Sequence, residues 1–501
     1  MISESLREAV REVSQKTDLL DKLMEYGNSD FYPFHMPGHK RQWKESYSKK
    51  FTNPFSIDIT EIDGFDNLHH PQGILRESMD WAAKVYNSDR TYYLVNGSSC
   101  GILSAISGTV SRGGTILMSR NCHKSAYHGV FLNDLKAEYI YPQLIEEFGL
   151  QGGILPEEME EMLKNHPEVE AVLVVSPTYD GIVSDVRKLA DIIHKFNLPL
   201  IVDEAHGAHF SFGKGEGFPV SAIEVGADVV IQSLHKTLPS LTQTAVMHVK
   251  SGYVNMDRLD RYVHMYQTSS PSYVLLASVD NCIGYMAEQG RDCMKEFFEK
   301  IMALRKGFKG LSYLKILNEE VKGQSGVYDV DLSKLIISTR ESNLTGAELN
   351  YLLREEYHLE MEMCGPDYVT GILTLADTKE GYERLSQALL DIDSRAGKET
   401  MLYSCRIGKE YGDIKVRPKR RATIAQGMDS NRRKVLLKDA VDRVSAEFVY
   451  IYPPGIPIIA PGEVLNKELI DLIITYKDME LPVQGLEDEN AEYIYIMDEA
   501  V

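Results

Sequence analysis

The sequence predicts an α/β protein with a seven-stranded, mostly parallel central sheet and a smaller C-terminal α+β region. Three observations predict it. From Thr91 onward, short apolar runs alternate with amphipathic helical patterns, the arrangement expected of a parallel sheet covered on its faces by helices. Unusual polar clusters fall where the apolar runs end. With 501 residues, 43% of them hydrophobic, the chain can bury a large core and more than one domain.

Taken in order, residues 3–26 place Leu6, Val10, Val13, Leu19, Leu20 and Leu23 near a helical period with charges between them, so residues 1–30 read as an amphipathic arm that packs on another surface. A Pro/Gly/His-rich stretch follows Phe31. The expected strands are Tyr92–Val95, Thr115–Met118, Glu138–Tyr141, Ala171–Val175, Pro199–Val202, Asp228–Ile231 and Ala245–Val249, with a helix over Asp185–Phe196. Seven strands suit one large domain, residues 31–310, which a long helix from Val274 to Gly310 leaves. Residues 311–501 read as the C-terminal region. It contains a strand at Glu447–Ile451, the turn Pro453-Pro-Gly455, a helix over Asn466–Tyr476 and a last strand near Tyr493–Met497.

A net charge of −20 and a pI near 5.2 argue against nucleic acid as a partner, because phosphate binding needs clustered cations. Small cationic molecules suit the field better. The one dense basic run, Lys415-Val-Arg-Pro-Lys-Arg-Arg421, reads as a solvated loop and receives no role. Six scattered cysteines without a C-x-x-C pair (Cys100, Cys122, Cys282, Cys293, Cys364, Cys405) suggest neither disulfides nor zinc, and fit a reducing compartment. The N-terminus is charged and no run of about 18 apolar residues occurs. No membrane association is expected, and the cytoplasm is the default location.

Open parallel sheets bind ligands at the carboxyl ends of their strands, where loop amides and helix N-termini gather. Asn96-Gly97-Ser98-Ser99 follows the first strand and opens a helix, so it can hold a phosphate; equally, Ser98 or Ser99 could simply cap the helix. Asp203 closes the apolar run Pro199-Leu-Ile-Val-Asp203, where a carboxylate needs a cationic partner such as a pyridinium nitrogen, or a structural arginine. Ser233, His235 and Lys236 follow the apolar run from Asp228. A desolvated lysine there can form a Schiff base, although Ser-x-His-Lys alone is commoner as a surface loop. Together the three clusters offer partners for the phosphate, ring nitrogen and aldehyde of pyridoxal phosphate. His123, after the second strand, could stack on a planar ring or be an ordinary loop histidine. His35 and His39 have the spacing of helical metal ligands, but Pro37-Gly38 between them breaks a helix, so a loop lining the site is expected and no metal.

Several segments resemble the Orn/Lys/Arg decarboxylase family of fold-type I pyridoxal-phosphate enzymes, in a short form lacking the N-terminal wing. They are Phe34-His-Met-Pro-Gly-His-Lys40, Asp58 to Gly73, Asn96-Gly-Ser-Ser99, Ser119-Arg-Asn-Cys-His-Lys-Ser125, Val202-Asp-Glu-Ala-His-Gly207, Ser233-Leu-His-Lys236 and Tyr452-Pro-Pro-Gly-Ile-Pro457 with Pro461-Gly-Glu463. The resemblance implies that Lys236 carries the cofactor, Asp203 pairs with its ring nitrogen, and His123 stacks on the ring. It implies that Ser98, Ser99, Ser233 and His235 hold the phosphate, and that Thr268, in Gln267-Thr-Ser-Ser-Pro271, reaches the phosphate of a neighbouring subunit in a homodimer or dimer-based oligomer with shared sites. His206 departs from longer members, which can carry tryptophan there; it is expected beside the ring.

The activity so implied is decarboxylation of a basic amino acid: arginine to agmatine by the short-form branch, with lysine or ornithine as the alternative. An aminotransferase, an aldolase or a silent binding protein on the same fold are the remaining rivals. Lys236 or His123 would return the proton to Cα. Glu61, Asp63, Asp66 and Glu463 are the acidic residues in matching segments that could face a cationic side chain.

Overall fold

All seven expected strands pair into one sheet in the computed structural model, which describes residues 27–41, 54–250, 252–396, 417–479 and 481–498. Residues 1–26 of the N-terminal arm, Cys405, and Lys415 and Val416 of the basic run lie outside the described residues. The strands are β1 (Arg90–Leu94), β2 (Thr115–Ser119), β3 (Lys136–Ile140), β4 (Val169–Val175), β5 (Leu200–Asp203), β6 (Val229–Gln232) and β7 (Ala245–Val249). Their spatial order is β1-β7-β6-β5-β4-β2-β3. Pairing is parallel from β6 to β3, and β7 runs antiparallel to both β6 and β1. Runs such as Val-Val-Ile-Gln in β6 and Leu-Ile-Val-Asp in β5 are buried throughout, as strands covered on both faces must be.

Helix α1 (Gly97–Thr109) lies on one face beneath α5 (Met256–Tyr266), with α2 (Lys124–Leu132) beside it. α3 (Val186–Lys195) packs Leu189 and Ile193 on the opposite face. Asp185 caps α3 by accepting from Lys188 N at 3.1 Å. Between β6 and β7 the chain makes the one-turn helix α4 (Leu234–Thr237) and reverses. That reversal puts Lys236 at the carboxyl edge of the sheet.

The long helix α6 (Tyr273–Gly307) leads to a four-stranded antiparallel sheet of Lys315–Ile316, Lys334–Ser338, Tyr368–Ile372 and Met363–Cys364. A short strand, Tyr32–Phe34, pairs in parallel with Leu359–Met361. One apolar cluster accordingly runs from Tyr32 through α6 to Ala396. A separate cluster joins Val449, Ile459, Leu469, Ile473, Ile494 and Ile496, drawn from the strands Val449–Ile451, Ile456–Ile459 and Tyr493–Met497 and the helix Lys467–Asp478. The five described cysteines are free thiols, and no helix among the described residues is long and apolar enough to cross a membrane.

Candidate active site

Lys236 is the third residue of α4, delivered by the buried strand β6. Its Nζ lies 2.9 Å from His206 Nε2. Burial pushes the Lys236 ammonium below its ordinary range; Asp203 and Glu362 oppose that shift and Lys334 adds to it. Asp203 closes β5 next to Val175 of β4 and Ile231 of β6. Its Oδ1 accepts from Ala205 N at 3.1 Å. Burial pushes the Asp203 carboxyl up, against the charge of Lys236 and that amide bond, so a cation beside it would be favoured.

His206 is buried, its Nδ1 has no hydrogen-bond partner among the described residues, and its ring stands 4.6 Å from that of Tyr179. Burial first, then Lys236, Lys334, His123 and His235, hold its proton affinity low. His123 caps α2 and accepts at Nδ1 from Ser125 N (3.2 Å) and from the Ser125 hydroxyl (2.9 Å). Those bonds place the ring hydrogen on Nε2. Burial, aided by Lys236, Lys124 and His128, pushes its pKa down to about 3. Gly455 of the Pro-Pro-Gly turn packs on this ring, and its carbonyl accepts from Lys124 N at 3.0 Å.

Ser98 and Ser99 are the second and third residues of α1 rather than caps. Asn96 holds the capping position without a side-chain cap bond, which leaves the first-turn amides to an anion. Ser233 Oγ and Thr237 Oγ1 are buried and have no partner among the described residues. His235 bonds Thr244 O through Nδ1 at 2.9 Å, and burial pushes its pKa down to about 4. Thr268 is exposed and meets its own chain through its backbone: N donates to Asn96 Oδ1 (3.2 Å) and O bonds His69 Nε2 (2.7 Å).

The acidic candidates separate. Asp66 accepts from the amides of Asn67, Gln72, Gly73, Leu75 and Arg76, and so holds the start of the helix Ile74–Val85. Glu463 is buried against Arg120 Nη2 at 3.1 Å. Asp63 is exposed, and Glu61 Oε1 is buried without a partner among the described residues. His35 Nδ1 bonds Met36 O at 2.5 Å, and His39 Nδ1 accepts from Arg41 N at 3.1 Å, so both rings serve the loop backbone. In the basic run, Arg417 stacks on Tyr141 and Arg420 pairs with Glu138.

Three residues near Lys236 were not legible beforehand: Tyr179, Lys334 and Glu362. Glu362 accepts from Met36 N at 2.8 Å and from the Tyr179 hydroxyl. Tyr179 follows β4 at the carboxyl edge, a signal that strand position could have supplied. Glu362 and Lys334 come from the C-terminal sheet and carry no local signal.

These groups fit pyridoxal phosphate. The orphaned Ser233 hydroxyl and the uncapped start of α1 suit a phosphate, Asp203 suits a pyridinium, and Lys236 suits an aldehyde. Fold and site define the class, a fold-type I pyridoxal-phosphate enzyme architecture. Its solved neighbours include the lysine decarboxylase of Francisella novicida (TM-score 0.76, 22% identity, 95% of this chain and 80% of that one). The constitutive lysine decarboxylase of Escherichia coli is similar (0.75, 20%, covering 96% and 81%). The sequence narrows the class: the Orn/Lys/Arg decarboxylase major domain matches residues 17–334 and the C-terminal domain residues 410–491. Arginine decarboxylase of Bacillus subtilis (strain 168) is 32% identical over 97% of this chain and 98% of its own length, and that of Bacillus anthracis is 30% identical over the same shares. The chain belongs to the Orn/Lys/Arg decarboxylase family.

Proposed function

We propose that the protein is a pyridoxal-phosphate-dependent arginine decarboxylase, producing agmatine and carbon dioxide. The observation that carries this reading is the convergence of Lys236 and Asp203 at the edge of one sheet, in a chain that matches arginine decarboxylases over nearly their whole length. A lysine decarboxylase of Hafnia alvei is more distant, 24% identical over 71% of its length.

Bound pyridoxal phosphate supplies an electron sink for the carbanion left when the α-carboxylate departs. Lys236 would anchor the cofactor and, once it has taken the proton that the incoming substrate ammonium gives up, would return a proton to Cα, with His123 as the alternative donor through Nε2. Asp203 holds a proton on the ring nitrogen. His123 and His206 flank the ring, while Ser98, Ser99, Ser233 and His235 hold the phosphate. A phosphate dianion beside His235 would favour its imidazolium form, in which Nε2 is a donor. Glu362, anchored by Met36 and Tyr179, offers a carboxylate to the cationic end of the substrate. Thr268 serves the phosphate of a second subunit in a homodimer. A cytoplasmic setting would keep the five described cysteines as thiols.

Carbon dioxide release measured in parallel on arginine, lysine and ornithine tests the reading. Arginine is expected to turn over fastest. Equal or faster turnover of lysine would replace arginine as substrate, and keto-acid production without carbon dioxide would replace the reaction.

A further inference from the structure

Behind His206, away from the sheet edge, a lysine is buried completely. Lys334 begins the strand Lys334–Ser338, and its side chain, like that of Asp331, is 0% exposed. Its Nζ lies 3.2 Å from Asp331 Oδ2 and 3.3 Å from His206 O. The other oxygen of Asp331 accepts from Ser333 N (3.0 Å) and meets His209 Nε2 (3.3 Å). A buried ion pair is a poor device for stability, because desolvating two charges costs as much as their attraction returns. The pair nevertheless ties two loops of the site to the C-terminal sheet. One carries His206, the histidine that meets Lys236. The other carries Tyr179, whose ring packs on His206: Asp331 N donates to Gly181 O at 2.8 Å, and a Cβ at Gly181 would stand 2.8 Å from Lys334 Cγ.

We propose that Lys334 is a positioning residue: its ammonium holds the His206 backbone and so places the imidazole that receives Lys236. A second consequence follows from charge. The groups acting on Lys236 are Asp203, Glu362 and Lys334, with His206 in contact and His123 and His235 near enough to respond to its charge. Those around Lys334 are Asp331, His209, His206, Lys40 and Arg305, whose Nη2 donates to Lys334 O at 2.9 Å. Lys334 is therefore the cation that adds to burial in pushing the Lys236 ammonium below its ordinary range. The inference rests on Lys236 as the reactive residue.

The test compares the full-length wild type, freed of cofactor, with Lys334→Met/Asp331→Asn, which removes both charges and keeps nearly the same volume. Acetic anhydride labelling of Lys236 across pH, read by peptide mass spectrometry, reports its amine fraction with no cofactor present. The double variant should fold, and its labelling midpoint should rise by about one pH unit, so that labelling below the midpoint falls about tenfold. Lys334→Met alone leaves the Asp331 carboxylate buried without its lysine and should melt earlier, with the midpoint displaced in the same direction. An unchanged midpoint in a folded double variant overturns the proposal and leaves only a structural role. Because labelling needs no pyridoxal phosphate, a wild type that fails to bind the cofactor would refute the function without touching this result.

Discussion

Lys236, the proposed cofactor anchor, has its ammonium pushed below the ordinary range by burial and Lys334, while Asp203 and Glu362 oppose that shift. Replacing Lys236 with alanine removes both the cofactor anchor and a proton donor, so turnover should fall by several orders of magnitude while the fold survives. Retention of more than about a tenth of the wild-type rate would mean a loss under about 1.4 kcal/mol and a different reactive residue. Asp203→Asn should cost on the order of a hundredfold or more in turnover by releasing the ring-nitrogen proton, while leaving cofactor uptake measurable by absorbance. Lys236, Asp203, His123, Ser233 and His235 were legible because each follows an apolar strand in its own segment, where a polar side chain needs a reason. Glu362 and Lys334 were not, because their meaning arises only when the fold brings them to Met36 and His206, each more than a hundred residues away in sequence.

Among the elements, the seven strands were legible because burial on both faces leaves uninterrupted apolar runs; β5 and β6 merely end one residue later than their patterns, at Asp203 and Gln232. The strand Tyr32–Phe34 was hidden: three residues, one of them proline, with a partner at Leu359–Met361. Its loop explains the Pro-Gly-His segment. Gly38 N donates to His235 O at 2.7 Å, and a Cβ at Gly38 would lie 2.8 Å from Leu238 O. Gly38→Ala must therefore displace α4. Turnover should drop at least tenfold with thermal stability reduced by roughly 1–3 kcal/mol, and near-wild-type kinetics would deny that this loop sets Lys236. In β7, His248 is fully buried between Thr91 Oγ1 (2.9 Å) and Gln232 Oε1 (3.2 Å), and burial pushes its pKa down to about 3. The folded state thus binds fewer protons than the unfolded one between about pH 6.5 and 3, and stability from this group is lost as pH falls through that window. Relative to a His248→Gln chain, wild type should lose about 2 kcal/mol between pH 7.5 and 5 in urea unfolding; parallel curves would contradict the shift.

For the molecule as a whole, the sequence revealed a large sheet-based unit and a C-terminal α+β region, but not how tightly they interlock. Packing from Tyr32 to Ala396 joins segments whose patterns carry no address, and the Pro-Pro-Gly turn reaches back to His123. Thr268 extends the account beyond one chain. If it acts across a two-fold dimer, mixing Lys236→Ala chains with Thr268→Arg chains, each inactive alone, should restore about a quarter of the sites after subunit exchange. Exchange without recovery, or a monomer in solution, would rule sharing out. The central claim, that Lys236 holds pyridoxal phosphate in this site, is met most directly by borohydride reduction of the reconstituted protein followed by peptide mapping. A pyridoxyl group on Lys236, absent from Lys236→Ala, is the predicted result; a label on another lysine, or none after reconstitution, would contradict it.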